Sequence, residues 1–235
     1  MNKNIDFNAS NYGRTAFTGA SISGHTDIVK LLLDHSDIKN IDLNAGNKSG
    51  WTGFMLACTS GHKDVVKLLL DHSDIKNIDF NAKTEKGRTP FIIACFRGHI
   101  DVVKLLLDQS DIKNIDLHAK DENGLTGFIG ACSPGPPGYI DVVKLLLDQS
   151  DIKNIDLNAK DETGRTAFTI ACCNGYIDVV KFLLDHSDIK NIDLNAKTKN
   201  GLTGFIGACT NGYTNVVKLL LDQSDIKSID LNAKN

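Results

Sequence analysis

The sequence predicts an all-α solenoid, in which short helix-turn-helix units stack and extended, hairpin-like loops join them. Two features of each unit support this prediction: a pair of apolar stretches with helical character, and a closing polar segment rich in Asp, Asn, Lys and Ser. The units recur at a fixed period, which is typical of repeat proteins whose units bury their apolar faces against each other. A shared motif, G-x-T-x-F, begins at Gly13, Gly50, Gly87, Gly124, Gly164 and Gly201.

The spacing of this motif predicts the domain organisation. Successive copies lie 37 residues apart, except that 40 residues separate the fourth from the fifth. The three additional residues fall in ACSPGPPGYIDVV, which holds three of the four prolines. Because proline costs about 3 kcal/mol inside a helix, we expect this insertion in the turn between two helices. We predict a single repeat domain, 1–235, with a half repeat and six repeats: 1–12, 13–49, 50–86, 87–123, 124–163, 164–200 and 201–235.

The second unit illustrates the predicted elements. Thr52 precedes the apolar stretch GFMLAC and suits the N-cap of a helix of about eight residues. Gly61 is expected to end that helix. A second, very apolar helix is expected near Asp64–Asp71, and neighbouring units must cover it because so short a helix is unstable alone. The segment HSDIKNIDFNAKTEKG then predicts an extended loop or hairpin.

The sequence resembles the ankyrin repeat family over essentially its whole length. The family pattern G-x-T-P-L-H-x-A…G-H-x-x-V-V-x-L-L-L…D-x-N-A is similar to GRTPFIIACFRGHIDVVKLLL and IDLHA at Gly87–Ala119. The resemblance implies a stack of helix pairs whose concave face binds partners. The chain departs from the pattern in its longer period and in lacking the family's glycine after the second helix. Asn40 and its equivalents are expected to supply the left-handed residue there.

A leucine-rich repeat is the competing fold. The segment I-K-N-I-D-L-N-A imitates L-x-x-L-x-L-x-x. Leucine-rich repeats usually have a period of about 20–29 residues, however, and two helical stretches per unit leave no room for that arrangement.

Residues with reactive side chains do not form a catalytic pattern. Histidine alternates with tyrosine in one column of the repeat, which favours a role in holding a turn, and no C-x-x-C spacing indicates zinc. We therefore expect no enzyme, no cofactor and no metal site. Cys173 lies in the next column, which the resemblance implies faces outward. Five other cysteines share one column and are expected in the core: Cys58, Cys95, Cys132, Cys172 and Cys209.

Composition limits partners and location. The net charge is −3, so there is no basic footprint for nucleic acid. No apolar run approaches the length of about 20 residues that a membrane span needs, so we expect no membrane association. The N-terminal residues lack the apolar region of a signal peptide, and six cysteines without such a signal favour a reducing, cytoplasmic location.

The columns that vary between units identify a candidate partner-binding surface. In the ankyrin pattern these columns line the concave groove, although neutral drift at unconstrained positions would produce similar variation. The single tryptophan and several arginines lie in them, and such residues often anchor interfaces. We predict that Trp51, Arg88, Phe96 and Arg97 form one patch. The full candidate set is Arg14, Trp51, Arg88, Phe96, Arg97, Leu125, Pro134, Arg165 and Leu202.

The predicted function is a protein-protein interaction module that binds a protein or peptide. Two alternatives stay open at this point: a regulatory inhibitor or effector that blocks an enzyme, and a structural spacer in a longer array. The sixth repeat keeps its apolar residues where a terminal repeat normally becomes polar. A further prediction is therefore end-to-end self-association through this uncapped repeat.

Overall fold

We describe residues 6–11, 13–133 and 139–231 of a computed structural model, without the side chains of residues 73–75. Each repeat contributes a short first helix and a longer second helix. The second helix is interrupted by one residue in the first and fourth repeats. The helices are α1 Ala16–Ile22, α2 Thr26–Asp34, α3 Ser36–Lys39, α4 Gly53–Ser60, α5 Lys63–Lys76, α6 Pro90–Arg97, α7 Ile100–Lys113, α8 Gly127–Ala131, α9 Tyr139–Asp148, α10 Ser150–Lys153, α11 Ala167–Asn174, α12 Ile177–Lys190, α13 Gly204–Thr210 and α14 Thr214–Lys227.

The first helices begin as predicted from the sequence, and α4, α6 and α11 end at a glycine as predicted, whereas α1, α8 and α13 end at Ser23, Cys132 and Asn211. The Thr52 hydroxyl accepts a hydrogen bond from the Met55 backbone N–H at 3.3 Å, which satisfies one of the free donors at the helix N-terminus. The equivalent threonine caps the first helix in the other repeats. Gly61 ends α4 with φ of 73°, a left-handed conformation that glycine adopts without steric cost.

The second helices are longer than predicted. We expected helix near Asp64–Asp71 followed by a loop, but α5 runs to Lys76. The polar H/Q-S-D-I-K segment continues the helix, and its serine can be buried there because its hydroxyl bonds to the helix backbone: Ser110 Oγ donates to the Leu107 carbonyl at 2.8 Å. The helix ends only at the next asparagine, such as Asn114, which has φ of 50°. The expectation of a left-handed asparagine at Asn40 and its equivalents is therefore confirmed, with Ser228 replacing it in the last repeat.

The described residues fall into two compact units, residues 1–119 and 120–235. Within each unit, first helices of successive repeats pack against each other, and second helices do the same. The cores consist of the motif phenylalanines, at most 2 % exposed, and the Val and Leu residues of the second helices. The extent of a single domain over 1–235 stays a prediction. The core phenylalanines are Phe17, Phe54, Phe91, Phe128 and Phe168.

The loops between repeats are connected by asparagine side chains, which we call the asparagine ladder: Asn8, Asn44 and Asn81 in the first unit, and Asn158 and Asn195 in the second. Each side-chain amide donates to a backbone carbonyl of the next loop and accepts from a backbone N–H there. In the described part of the chain the Ile-Asp-Leu segments form turns and no strands. This arrangement excludes the leucine-rich alternative.

Candidate functional site

The G-x-T-x-F motif begins in a tight hairpin turn that positions the variable residues. In the hairpin that leads into the third repeat, the Thr84 backbone N–H donates to the Arg88 carbonyl at 3.1 Å, and the Gly87 N–H donates to the Thr84 carbonyl at 2.8 Å. The Arg88 N–H in turn donates to Thr84 Oγ1 at 3.2 Å. The hairpin is therefore closed by its own backbone before the threonine caps the following helix.

Successive hairpins of the first unit lie side by side. The Glu85 N–H donates to the Ser49 carbonyl at 3.1 Å, which joins the third hairpin to the second. A Cβ atom on Gly50 would lie 3.0 Å from the Lys83 carbonyl oxygen, and Gly50 has φ of 77°. The motif glycine is thus required by both its backbone conformation and the close approach of the next hairpin. A Cβ on Gly13 would similarly contact Asn47, so the first hairpin adjoins the second.

Two of the predicted patch residues contact each other. The Arg88 guanidinium carbon lies 5.0 Å from the centroid of the Phe96 ring, within the range of a cation–π interaction. Arg88 belongs to the hairpin, and Phe96 lies in the last turn of α6, so this contact joins the hairpin to the first helix. Both side chains are half-buried, and the adjacent Arg97 is exposed.

Trp51 is half-buried and not enclosed within its own repeat. Its backbone is held in the second hairpin: the Trp51 N–H donates to Asn47 Oδ1 at 3.1 Å, and the Asn47 N–H donates to the Trp51 carbonyl at 3.1 Å. Arg14 is exposed in the first hairpin, where its backbone pairs with Asn11. A continuous patch of all four predicted residues stays a prediction, of which the Arg88–Phe96 contact is one part.

The candidate residues of the second unit are partly used in internal packing. Leu125 is half-buried and packs against Ile129, Ala159 and Ile170. Leu202 is half-buried beside Gly207, with 3.5 Å between its Cδ2 atom and a Cβ built on that glycine. Pro134 lies within residues 134–138, which contain the inserted prolines and lie outside the described residues. The hydrophobic candidates of this unit therefore offer only part of their surface to a partner.

Arg165 is exposed and forms an ion pair with the buried carboxyl group of Asp161. The distance from Arg165 Nε to Asp161 Oδ2 is 2.8 Å, and the other carboxylate oxygen accepts hydrogen bonds from Thr163 and from the Arg165 backbone. Burial of this carboxyl opposes its ionisation, but the hydrogen bonds from Thr163 and Arg165 and the charge of Arg165 outweigh it. The pKa of Asp161 is therefore lowered. Arg165 thus stabilises its own hairpin through this ion pair, and its side chain is also exposed to solvent.

The hairpin and first-helix segments of the first unit carry mostly basic residues, unlike those of the second unit. The hairpin and first-helix segments, residues 10–23, 46–60 and 83–97, hold one acidic residue, Glu85. The corresponding segments of the second unit, residues 120–133, 160–174 and 197–211, hold five basic and four acidic residues. The sequence analysis compared single columns and missed this excess of basic residues in the first unit, which becomes visible when the residues of neighbouring hairpins are counted together. The basic residues of the first unit's segments are Arg14, Lys48, Lys83, Lys86, Arg88 and Arg97.

The cysteine column lies mainly in the core. Burial raises the pKa of the thiols of Cys58, Cys95 and Cys132 far above the usual range, and Cys172 shifts in the same direction. Cys209 is exposed, so the prediction of a core position was wrong for the last repeat. The reason is that α13 has no further helix packed beyond it in the described residues. No group of three potential metal ligands occurs among the residues that the structure describes.

The folded units define a class: this is an α-helical repeat protein with variable side chains on its hairpins and first helices. The chain belongs to the ankyrin repeat family. The family model for three copies of the ankyrin repeat matches residues 1–84, 38–121, 75–161, 112–193 and 136–235, which together span the chain. No curated protein matches it significantly. Within the described part of the chain, no helix has both the length and the apolar character needed to cross a membrane.

Solved ankyrin repeat structures have a similar fold. The ankyrin repeat domain of Bcl-3, a member of the IkappaB family, has a TM-score of 0.76 at 24 % identity, with 96 % of this chain and 91 % of that chain covered. The ankyrin repeat protein EF0377 has a TM-score of 0.71 at 24 % identity, covering 91 % and 98 %. A chain from the complex of the Bdellovibrio bacteriovorus endopeptidase Bd0816 with the immunity protein Bd3460 has a TM-score of 0.67 at 24 % identity, covering 90 % and 99 %.

Proposed function

We propose that this chain is a non-enzymatic protein-binding module that takes up a protein or peptide on the surface formed by its hairpins and first helices. The observation that supports this most directly is the Arg88–Phe96 contact, with the half-buried Trp51 in the neighbouring hairpin. Tryptophan and arginine are enriched among interface residues that dominate binding energy. Membership of the ankyrin repeat family also supports a binding module, as does the similarity of this chain to a chain from the complex of Bd0816 with the immunity protein Bd3460.

Site-specific crosslinking tests this proposal. A photo-reactive amino acid is placed at Arg97, on the hairpin side, or at Lys104, on the exposed side of α7, and the full chain is irradiated in extract from the native source. We expect a discrete adduct at position 97 and none of the same mass at position 104. Adducts only at position 104 would refute binding on the surface formed by the hairpins and first helices. Equal absence of adducts at both positions would favour the spacer alternative.

We also propose a reducing, cytoplasmic location for the chain. The support is its thiol distribution: the cysteines described above are free, four of them in the core. A fusion to a redox-sensitive fluorescent reporter expressed in the native source tests this location. A reporter held oxidised would contradict it.

A second proposal is that two chains associate end to end through the last repeat. Leu221 is 47 % exposed, whereas the equivalent Leu184 and Leu147 are at most 1 % exposed. Phe205 and Ile206 on α13 are also only half-buried. Sedimentation velocity tests this, with Leu221→Glu as the variant and Ile112→Glu, at a 71 % exposed position of α7 away from the last repeat, as the control. A monomer at all concentrations in the unmodified chain would refute it.

A further inference from the structure

We infer that the first unit binds an acidic peptide segment carrying an aromatic or large aliphatic side chain. This inference rests on the proposed function, because it names the chemistry of the partner for the same kind of surface. The site is the basic hairpin surface, which we define by the cations Arg14, Lys48, Lys83, Lys86, Arg88 and Arg97 together with Phe96 and Trp51.

The charge of this surface is one-sided. It has six cations against one carboxylate, and all of its cations are exposed except the half-buried Arg88. The rest of the described first unit carries thirteen acidic and seven basic residues. An acidic segment is therefore attracted to the hairpins and repelled from the other side of the unit. Such complementarity favours both the encounter and the orientation of a partner.

The three hairpins form one continuous support for this charge. Backbone contact between Glu85 and Ser49 joins two of them, and the close approach of Gly13 to Asn47 joins the third. Neighbouring helices pack about 8–10 Å apart, so three hairpins span roughly 20 Å. An extended peptide rises about 3.3 Å per residue, so about six to eight residues cover that distance.

The apolar part of the ligand follows from Phe96 and Trp51. The Phe96 ring is half-buried under Arg88, and Trp51 is half-buried in the adjacent hairpin. A purely acidic chain would leave these rings in water, whereas one aromatic or large aliphatic side chain among the carboxylates would cover them. Nucleic acid is the less suitable ligand, since the acidic remainder of the unit repels a longer polyanion.

Fluorescence anisotropy with defined peptides tests the inference on the full chain. The probe is a labelled peptide of about ten residues rich in Glu and Asp with one central Phe; the matched peptides carry Gln and Asn for the acids, or Ala for the Phe. We expect the acidic peptide with Phe to bind at least about tenfold more tightly than either matched peptide, with an affinity that decreases as salt increases. A labelled single-stranded oligonucleotide that binds more tightly than the acidic peptide would overturn the inference.

Matched charge reversals locate the site. Arg88→Glu/Arg97→Glu is expected to weaken binding by at least about tenfold, and Lys30→Glu/Lys104→Glu, which changes the net charge equally on exposed helix positions, by less than about twofold. If circular dichroism shows that the double variant is unfolded, the single variant Arg97→Glu, at an exposed position, replaces it in the binding measurement. Equal losses in the two double variants would contradict the proposed location.

Selection from a displayed random peptide library separates this inference from the proposed function. Enrichment of Asp, Glu and aromatic residues would support both. Enrichment of neutral or basic peptides whose binding is lost in Trp51→Ala would overturn the acidic ligand and leave the binding module intact. Failure to enrich any peptide would count against both.

Discussion

The Nε2 atom of His99 lies 2.8 Å from the carbonyl oxygen of Thr59, so that a residue in the turn of the third repeat holds the end of α4 in the second. His62 makes the same contact to the Ile22 carbonyl at 2.9 Å. A carbonyl can only accept, so Nε2 must donate. The sequence predicted that this column holds a turn, and the structure adds that the turn of one repeat is joined to the preceding repeat.

His99→Ala should lower the free energy of unfolding by about 1–2 kcal/mol, because the Thr59 carbonyl loses its side-chain partner and the ring that fits against Gly61 is removed. Urea unfolding followed by circular dichroism measures this. His118→Ala, at an exposed histidine in the same unit, is the control and should change stability by less than about 0.5 kcal/mol. Equal effects would show that the inter-repeat bond contributes nothing.

The asparagine ladder gives a second test. Asn81 Nδ2 donates to the Asn114 carbonyl at 2.7 Å, and Asn81 Oδ1 accepts from the Asp116 N–H at 2.8 Å. Asn81→Asp keeps the acceptor, loses the donor and places a carboxylate near a carbonyl. We expect it to cost about 1 kcal/mol or more in unfolding free energy. Asn200→Ala, at an exposed hairpin tip, should be neutral; a neutral Asn81→Asp would mean that the ladder does not stabilise the repeats.

Repetition made the fold predictable, and long-range pairing limited what the sequence could show. The threonine cap and the glycine stop act within a few residues, so one repeat is enough to infer them. The ladder joins Asn81 to Asn114 and Asp116, more than thirty residues away, and the same side chain looks like an ordinary polar turn residue when one loop is considered alone. Its recurrence in almost every repeat was the signal that could have indicated it.

The candidate site was predictable only by column. Variation placed Arg88 and Phe96 in one predicted patch, but their direct contact depends on the angle between hairpin and helix, which no local pattern specifies. Leu125 also lies in a variable column, but its side chain is half-buried and packs on the core residues Ile129 and Ile170. The length of the second helix was missed because a buried serine, such as Ser110, can satisfy its hydroxyl within the helix.

Burial should decide the effect of truncating aliphatic side chains in α7. Leu106 is fully buried, so Leu106→Ala leaves a cavity and should cost about 2–5 kcal/mol. Ile112 in the same helix is 71 % exposed, and Ile112→Ala should stay within about 0.5 kcal/mol. Chemical denaturation of both variants checks the difference; similar losses would show that the second helices are not packed as described.

Thiol modification should follow the exposure of the cysteines. Only the thiolate reacts with alkylating reagents, and burial both shields the four core thiols and raises their pKa. We expect exposed Cys209 to react first with iodoacetamide, half-buried Cys173 more slowly, and the core thiols only after unfolding. Mass spectrometry of timed digests measures the order. Early labelling of Cys95 would contradict the packing of α6.

The buried carboxyl of Asp161 should make the second unit sensitive to acid. Its pKa is lowered in the folded state, so its ionised form stabilises the fold at neutral pH, and this contribution is lost as the pH falls below the unfolded value of about 4 towards the folded value. Asp161→Asn removes the charge that Arg165 and Thr163 bind. The difference in unfolding free energy between the unmodified chain and Asp161→Asn should therefore be largest near neutral pH and shrink below about pH 4.

Urea titrations at several pH values measure this difference, with Asp185→Asn, at an exposed position in α12, as the matched control. A difference that stays constant with pH would show that the hairpin does not depend on the ionised form of Asp161.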